Sequence, residues 1–200
     1  MIDTAALGSL APAVASFRAE QPEVAVTIVV EPSVSLTERV AAGELDVAVV
    51  VGPNPVTERL GRRLEMTSLF DEAIYVYPPM PSSGARSRRI APKDWGPWVT
   101  YPAGSQSREL ISAALAKLGV AMSVVTESSN PDVLRQMVRL GVGWSALPSD
   151  VAESGPSPLR RLPGAALTQR GIVALRRTDA LPNASAERFF DNLVAATRPD

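Results

Sequence analysis

One phrase, an apolar helix followed by glycine and then a buried-type strand, occurs twice in this chain and constrains its fold more than any other feature. The first copy reads Val40-Ala-Ala-Gly43-Glu-Leu45-Asp46-Val-Ala-Val-Val-Val51. The second reads Val138-Arg-Leu-Gly141-Val-Gly143-Trp-Ser-Ala-Leu147-Pro148. The residue that closes a helix often needs a left-handed backbone, which glycine adopts without a Cβ clash. Two copies so widely separated predict two similar α/β lobes, and a cleft between two lobes is a place where small molecules bind.

The chain of 200 residues is long enough for one large domain or two small lobes, each with its own core. A net charge of −1 gives no global attraction to nucleic acid or to an anionic membrane. Cysteine and histidine are both absent. Disulfides and the usual Cys/His zinc sites are therefore excluded, as are Ser-His and Cys-His nucleophilic pairs. We expect no metal site, no cofactor and no catalytic residue. Met1-Ile2-Asp3-Thr4 lacks the basic and apolar regions of a signal peptide, and no run approaches the ~18 apolar residues of a membrane span. The reading is a cytoplasmic protein with no membrane partner.

Along the chain, Leu7, Leu10, Val14 and Phe17 recur at helical spacing up to Gln21-Pro22, with Pro12 placed within about the first turn. Val24 to Val30 reads as a strand covered on both faces. Ser35 and Glu38 have capping-box spacing at the start of a helix that runs to Gly43, and Leu45 to Val51 is the next strand. Strand, helix and strand with short links predict parallel pairing. Gly52-Pro53-Asn54-Pro55 breaks the pattern, and Leu60–Met66 and Leu69–Tyr77 read as two extended segments. Pro78 to Pro92 is loop-like.

A second series then follows: a strand at Trp98–Tyr101, a polar turn at Gly104–Ser107, a helix ended by Gly119, and a strand at Met122–Glu127. Asn130-Pro131 is a helix start, with an N-cap followed by proline at the first helical position. A strand at Trp144–Leu147 comes next, and later a strand at Ile172–Leu175 and an amphipathic helix at Ala186–Ala196. This order predicts an α/β fold of two βαβ lobes, with crossings near Tyr75–Tyr77 and Thr168–Ile172. Lobe I takes residues 1–75 and 172–200, and lobe II takes residues 76–171.

The sequence resembles, from end to end, the effector-binding domain of LysR-type transcriptional regulators. The phrases that carry the resemblance are Leu10-Ala-Pro12…Phe17…Pro22, Gly43-Glu-Leu45-Asp46, Ser107-Arg108, Val138-x-x-Gly-x-Gly-x-x-x-Leu-Pro148, Arg170…Leu175-Arg-Arg and Phe189-Phe190. The resemblance implies a type 2 periplasmic-binding-protein fold, two lobes joined by crossover strands, with a small-molecule effector in the interlobe cleft. It further implies an antiparallel, side-by-side homodimer and a winged helix-turn-helix domain that contacts DNA. That DNA-binding part is absent here, so the expectation is a piece of a longer regulator or a stand-alone sensor.

In such a fold the helix N-termini of both lobes face the cleft, where unpaired N–H groups and positive dipole ends favour polar or carboxylate ligands. The ligand-binding candidates are Thr4 and Ala5 before the first helix, Ser33 and Ser35 at the second, and Gly52 at the end of the Asp46 strand. From the other lobe come Gly104, Ser105 and Ser107 in one loop and Ser129 in another. The serines also suit ordinary helix caps, and Asn130 suits a cap more than a ligand contact. Asp46 reads as structural, because a lone carboxylate is a poor acid–base device. Arg86-Ser-Arg88-Arg89 reads as a solvated loop, and Trp95, Trp98 and Trp144 as packing, with Trp144 a possible lining of the pocket. The reading is a ligand-sensing regulatory module that binds a small polar or carboxylate metabolite. Its rivals are a solute-binding protein of a transport system and an enzyme on the same two-lobed scaffold.

Overall fold

Proline in a helix interior removes a hydrogen bond and clashes with the preceding turn, at a cost of about 3 kcal/mol. Yet the first helix, α1 (Thr4–Glu20), runs straight through Pro12. The computed structural model describes residues 4–80 and 90–197. In it, Pro12 lies well inside the helix and not in its first turn. Packing supplies the compensation: Leu10, Ala13 and Phe17 are buried, and α1 lies along the last helix, α7 (Ala184–Ala196). Phe17 and Phe189 meet edge to face at 5.2 Å, and Arg188 Nε donates to Glu20 Oε2 at 3.3 Å.

The chain divides into two compact units. Residues up to Asp71, with those from Gly171 onward, form one, and Glu72 to Arg170 form the other. In the first unit, helix α2 (Ser33–Ala42) buries Leu36, Thr37 and Val40 and ends at Gly43, whose φ of 79° is the left-handed value its sequence position predicts. Strand β1 (Ala48–Val51) is buried at every residue. Its partner is the long strand β6 (Thr168–Arg177), antiparallel, with Ala48 opposite Leu175 and Val51 opposite Ile172.

Three expectations for this unit are corrected. Val24–Val30 is not a strand, and Ile28 and Val30 are exposed. A β-branched run becomes a strand only when a neighbour takes its N–H and C=O groups, and no described strand does so. The parallel βαβ pairing expected there is therefore not formed. Second, Asn54-Pro55 starts a short helix, α3 (Pro55–Leu60), in which the Asn54 side chain accepts from Val56 N and Thr57 N. Third, the two extended segments are one strand, β2 (Leu64–Tyr77), which crosses into the second unit between Asp71 and Glu72.

The second unit does contain the parallel βαβ arrangement. Strand β3 (Trp98–Thr100) pairs in parallel with β4 (Val124–Glu127), and helix α4 (Gln106–Lys117) connects them. Helix α5 (Pro131–Arg139) is capped by Asn130, as the sequence predicts. Strand β5 (Ser145–Pro148) pairs antiparallel with the end of β2 and leads into a short helix, α6 (Ser149–Ala152), which periodicity does not predict. Trp98, Ile111, Leu115, Leu134 and Leu147 are fully buried in this core. Gly143 is needed for close approach: a Cβ there would sit 2.6 Å from the Pro97 carbonyl oxygen.

Tyr77 is buried in the same core, and its hydroxyl donates to Glu153 Oε1 at 2.9 Å. Burial first, and then this bond, push its ionisation well above the ordinary tyrosine value. The folded state favours the neutral phenol, so this contribution is complete below about pH 10 and declines above it, as the unfolded chain ionises first. Urea unfolding of the wild type should therefore lose stability above about pH 10 more steeply than that of Tyr77→Phe. Equal slopes would contradict the assignment.

Candidate functional site

In parallel βαβ structure the loops that leave the carboxyl ends of the strands, and the helix starts they feed, form the usual ligand edge. Strands β3 and β4 bring two of the predicted loops to one such edge. Ser128 N donates to the Thr100 carbonyl at 3.0 Å, which joins the loop after β4 to the end of β3. Ser105 is the N-cap of α4, and its hydroxyl accepts from Arg108 N at 3.3 Å. Gly104 has a φ of 79°, with open space where a Cβ would be, so the turn requires its backbone freedom and no neighbouring group crowds it. Ser129 is exposed, beside Asn130, whose Oδ1 accepts from Asp132 N at 2.9 Å.

Arg108 fixes the edge. Its Nη1 donates to the Tyr101 carbonyl at 3.1 Å and approaches Glu127 Oε1 at 3.4 Å, and its Nε donates to Ser112 Oγ at 3.2 Å. Ser107 has a different role from the other hydroxyls. It is buried, and its Oγ accepts from Arg170 Nη1 at 2.8 Å, while Arg170 Nε donates to Glu72 Oε2 at 2.6 Å. Arg170 and Glu72 are both buried, so the pair is a buried ion pair with a serine on its flank. Sequence reasoning missed Glu72, which stands beside Asp71 in β2 with nothing in the local pattern to set the two acids apart. It also missed Thr100, whose buried hydroxyl has no hydrogen-bond partner among the described residues.

Thr4 and Ala5 lie in the first turn of α1 and not ahead of it. Helix α2 is preceded by Pro32 with no side-chain cap, so the Ser35–Glu38 capping box does not form. Ser35 instead donates to Glu31 Oε2 at 2.6 Å, and this bond, followed by the Arg39 guanidinium, holds the Glu31 carboxyl below the usual range. Ser33 Oγ accepts from Val51 N at 3.1 Å, which joins the start of α2 to the end of β1 beside Gly52. A Cβ on Gly52 would meet Val173 Cγ2 at 2.6 Å, so close packing against β6 requires this glycine. Beneath lies a buried chain of polar groups: Thr37 Oγ1 donates to the Ser33 carbonyl at 2.7 Å and accepts from Asn54 Nδ2 at 3.1 Å.

Asp46 Oδ1 accepts from Asn183 Nδ2 at 3.2 Å, and Asn183 caps α7, so Asp46 is structural through a distant cap and not through local backbone. Trp95 and Trp144 stack at 6.0 Å, and Trp98 is fully buried. Arg86, Arg88 and Arg89 lie outside the described residues. Among the described residues no cluster of acids forms a metal site, and no helix is long and apolar enough to cross a membrane.

The family model for the LysR substrate binding domain matches residues 1–198. The chain belongs to this family. Among curated proteins, this LysR domain is 26% identical over 181 residues to the uncharacterized HTH-type transcriptional regulator YfeR of Shigella flexneri, covering 85% of the chain and 54% of the relative. It is 27% identical over 161 residues to the HTH-type transcriptional regulator IlvY of Escherichia coli, covering 78% and 52%. The chain thus spans about half the length of the curated relatives it matches.

Among solved structures, the regulatory domain of CcmR from Synechocystis, in complex with 2-PG, superposes with a TM-score of 0.79 at 17% identity, covering 98% of this chain and 95% of that one. The effector-binding domain of QuiR in complex with shikimate gives a TM-score of 0.77 at 14% identity, covering 98% and 93%. The fold is the mixed α/β, periplasmic-binding-protein-like fold of LysR effector-binding domains, and the relatives are transcriptional regulators.

Removing one member of a buried ion pair leaves the other uncompensated, at a cost of about 3–5 kcal/mol. Arg170→Met and Glu72→Leu should each destabilise the LysR domain on that scale. The joint replacement Glu72→Leu with Arg170→Met should recover most of the loss in chemical denaturation. A double variant as unstable as the sum of the singles would contradict the pairing.

Proposed function

We propose that this LysR effector-binding domain senses a small polar or carboxylate-bearing metabolite and, within a regulator that also carries a DNA-binding domain, modulates transcription in the cytoplasm. The observation that carries the reading is the convergence of two loops that lead into helix starts, Gly104-Ser105 before α4 and Ser128-Ser129-Asn130 before α5, on the carboxyl edge of a parallel strand pair in a chain whose residues 1–198 the family model matches. Such an edge offers unpaired N–H groups and positive dipole ends to an anion. Thr4, Ala5, Ser33, Ser35 and Gly52 are the corresponding contacts proposed for the first unit. Ser107 is assigned a supporting role through Arg170. The bound 2-PG and shikimate of the structural neighbours support a small polar acid as the ligand class. An effector acts only through a difference in its affinity for two states of the assembly.

A thermal-shift screen of small organic acids, aromatic acids and amino acids tests this. A true effector at a hundred times its dissociation constant adds about 2.7 kcal/mol of stability. Ser105→Asn keeps a capping side chain while adding bulk, and Ser129→Gln adds bulk at an exposed position; both should shrink the shift. A shift unchanged in both variants, or no acid that produces one, overturns the site.

We further propose that the domain forms the antiparallel, side-by-side homodimer that the resemblance implies. Exposed apolar side chains support it: Ile28 and Val30 on the first unit, and Val125 and Leu140 on the second. Val30→Asp and Val125→Asp should each convert a dimer to a monomer in sedimentation equilibrium with little change in monomer fold. A dimer that survives both substitutions rejects these faces.

A further inference from the structure

The second unit holds a cavity of about 640 Å³ that the helix-start residues do not touch. It lies against Ala114, Lys117 and Leu118, at the opposite end of α4 from Ser105. A helix rises about 1.5 Å per residue, so roughly 18 Å of α4 separates the two places. The volume falls within the range of small-molecule pockets, about 300–1,000 Å³.

Both facing walls are tied down. Trp95 Nε1 donates to the Ile90 carbonyl at 3.1 Å, and the Trp95 ring stacks on Trp144, which fixes the segment from Ile90 to Trp95. Leu162 N donates to the Val76 carbonyl at 2.9 Å and Leu167 N to the Ile74 carbonyl at 2.8 Å, which anchors the opposite wall to β2. The hollow is thus bounded by anchored backbone on both sides.

Its chemistry is one-sided. Proline, alanine, leucine, isoleucine, valine and tryptophan make up the lining, apart from Thr168 and one charged residue, Lys117. Lys117 forms no ion pair or hydrogen bond among the described residues. Apolar walls favour a body that can be withdrawn from water, and a single ammonium matches a single carboxylate. A second anionic group would find no second cation in the lining and only the Thr168 hydroxyl as a polar side chain.

We propose that this cavity is a second ligand site, for a small monocarboxylate with an aromatic or branched aliphatic body, the carboxylate meeting Lys117 and the body lying between Trp95 and Leu162. The site is separate from the helix-start edge and does not depend on it.

Phenylacetate and its neutral counterpart phenylacetamide test the site, with tryptophan fluorescence as the readout. Phenylacetate should give a saturable change with the wild-type chain. Lys117→Gln should weaken it about tenfold, to the level of phenylacetamide with the wild type. Ala114→Phe should abolish it by filling the cavity. Leu118→Trp does the same from an exposed position, so it serves should Ala114→Phe fail to fold. Ser105→Asn should leave the affinity unchanged, which separates this site from the helix-start edge. Absence of saturable binding, binding that survives both filling variants, or binding lost in Ser105→Asn overturns the proposal.

Discussion

The ion pair between Arg170 and Glu72 is the interaction on which the arrangement of the second unit turns. Two charges taken out of water cost several kcal/mol each, and only close, well-directed contacts repay that. Here Nε and Nη1 of one guanidinium point to two different elements: a carboxylate on β2 and the hydroxyl of Ser107 in the first turn of α4. Glu72 and Arg170 are also the residues at which the chain enters and leaves this unit. The pair therefore fastens the two ends of the unit's chain to each other and both to the start of α4. Replacing the ion pair by apolar groups could preserve stability, but nothing apolar would hold the Ser107 hydroxyl.

From that anchor the rest of the edge follows. Helix α4 is capped by Ser105, Arg108 of α4 holds the Tyr101 carbonyl just past the end of β3, and Ser128 ties the loop before α5 to Thr100. In the first unit a polar chain of the same kind, from Asn54 through Thr37 to Ser33 and on to Val51, fixes the start of α2 against the end of β1. Both units thus use buried hydroxyl and amide groups to set where a helix begins. Satisfied buried polar groups of this kind specify one arrangement, because each orphaned partner would be costly.

How much of this was legible in the sequence depends on whether the signal was local. Gly43, and the Asn130-Pro131 start of α5, were readable because backbone conformation and capping are decided within a few residues. The same rule applied to Asn54-Pro55 would have found α3, but the surrounding Gly and Pro read as loop. Val24–Val30 misled because strand propensity describes a surface and not a partner. Ser107 looked like its neighbours Gly104 and Ser105, and only the fold shows that a residue 63 positions away takes up its hydroxyl. Glu72 carried no signal that set it apart from its neighbour Asp71, since ion pairing over such a separation leaves no local pattern.

We propose that the Glu72–Arg170–Ser107 constellation positions the start of α4 for the effector, beyond its contribution to stability. Isothermal titration of the Glu72→Leu, Arg170→Met double variant with an acid that stabilises the wild-type domain tests this directly, at a temperature where both are fully folded. The account predicts affinity at least tenfold weaker, about 1.4 kcal/mol, although the variant is folded. Wild-type affinity in the folded double variant would contradict it.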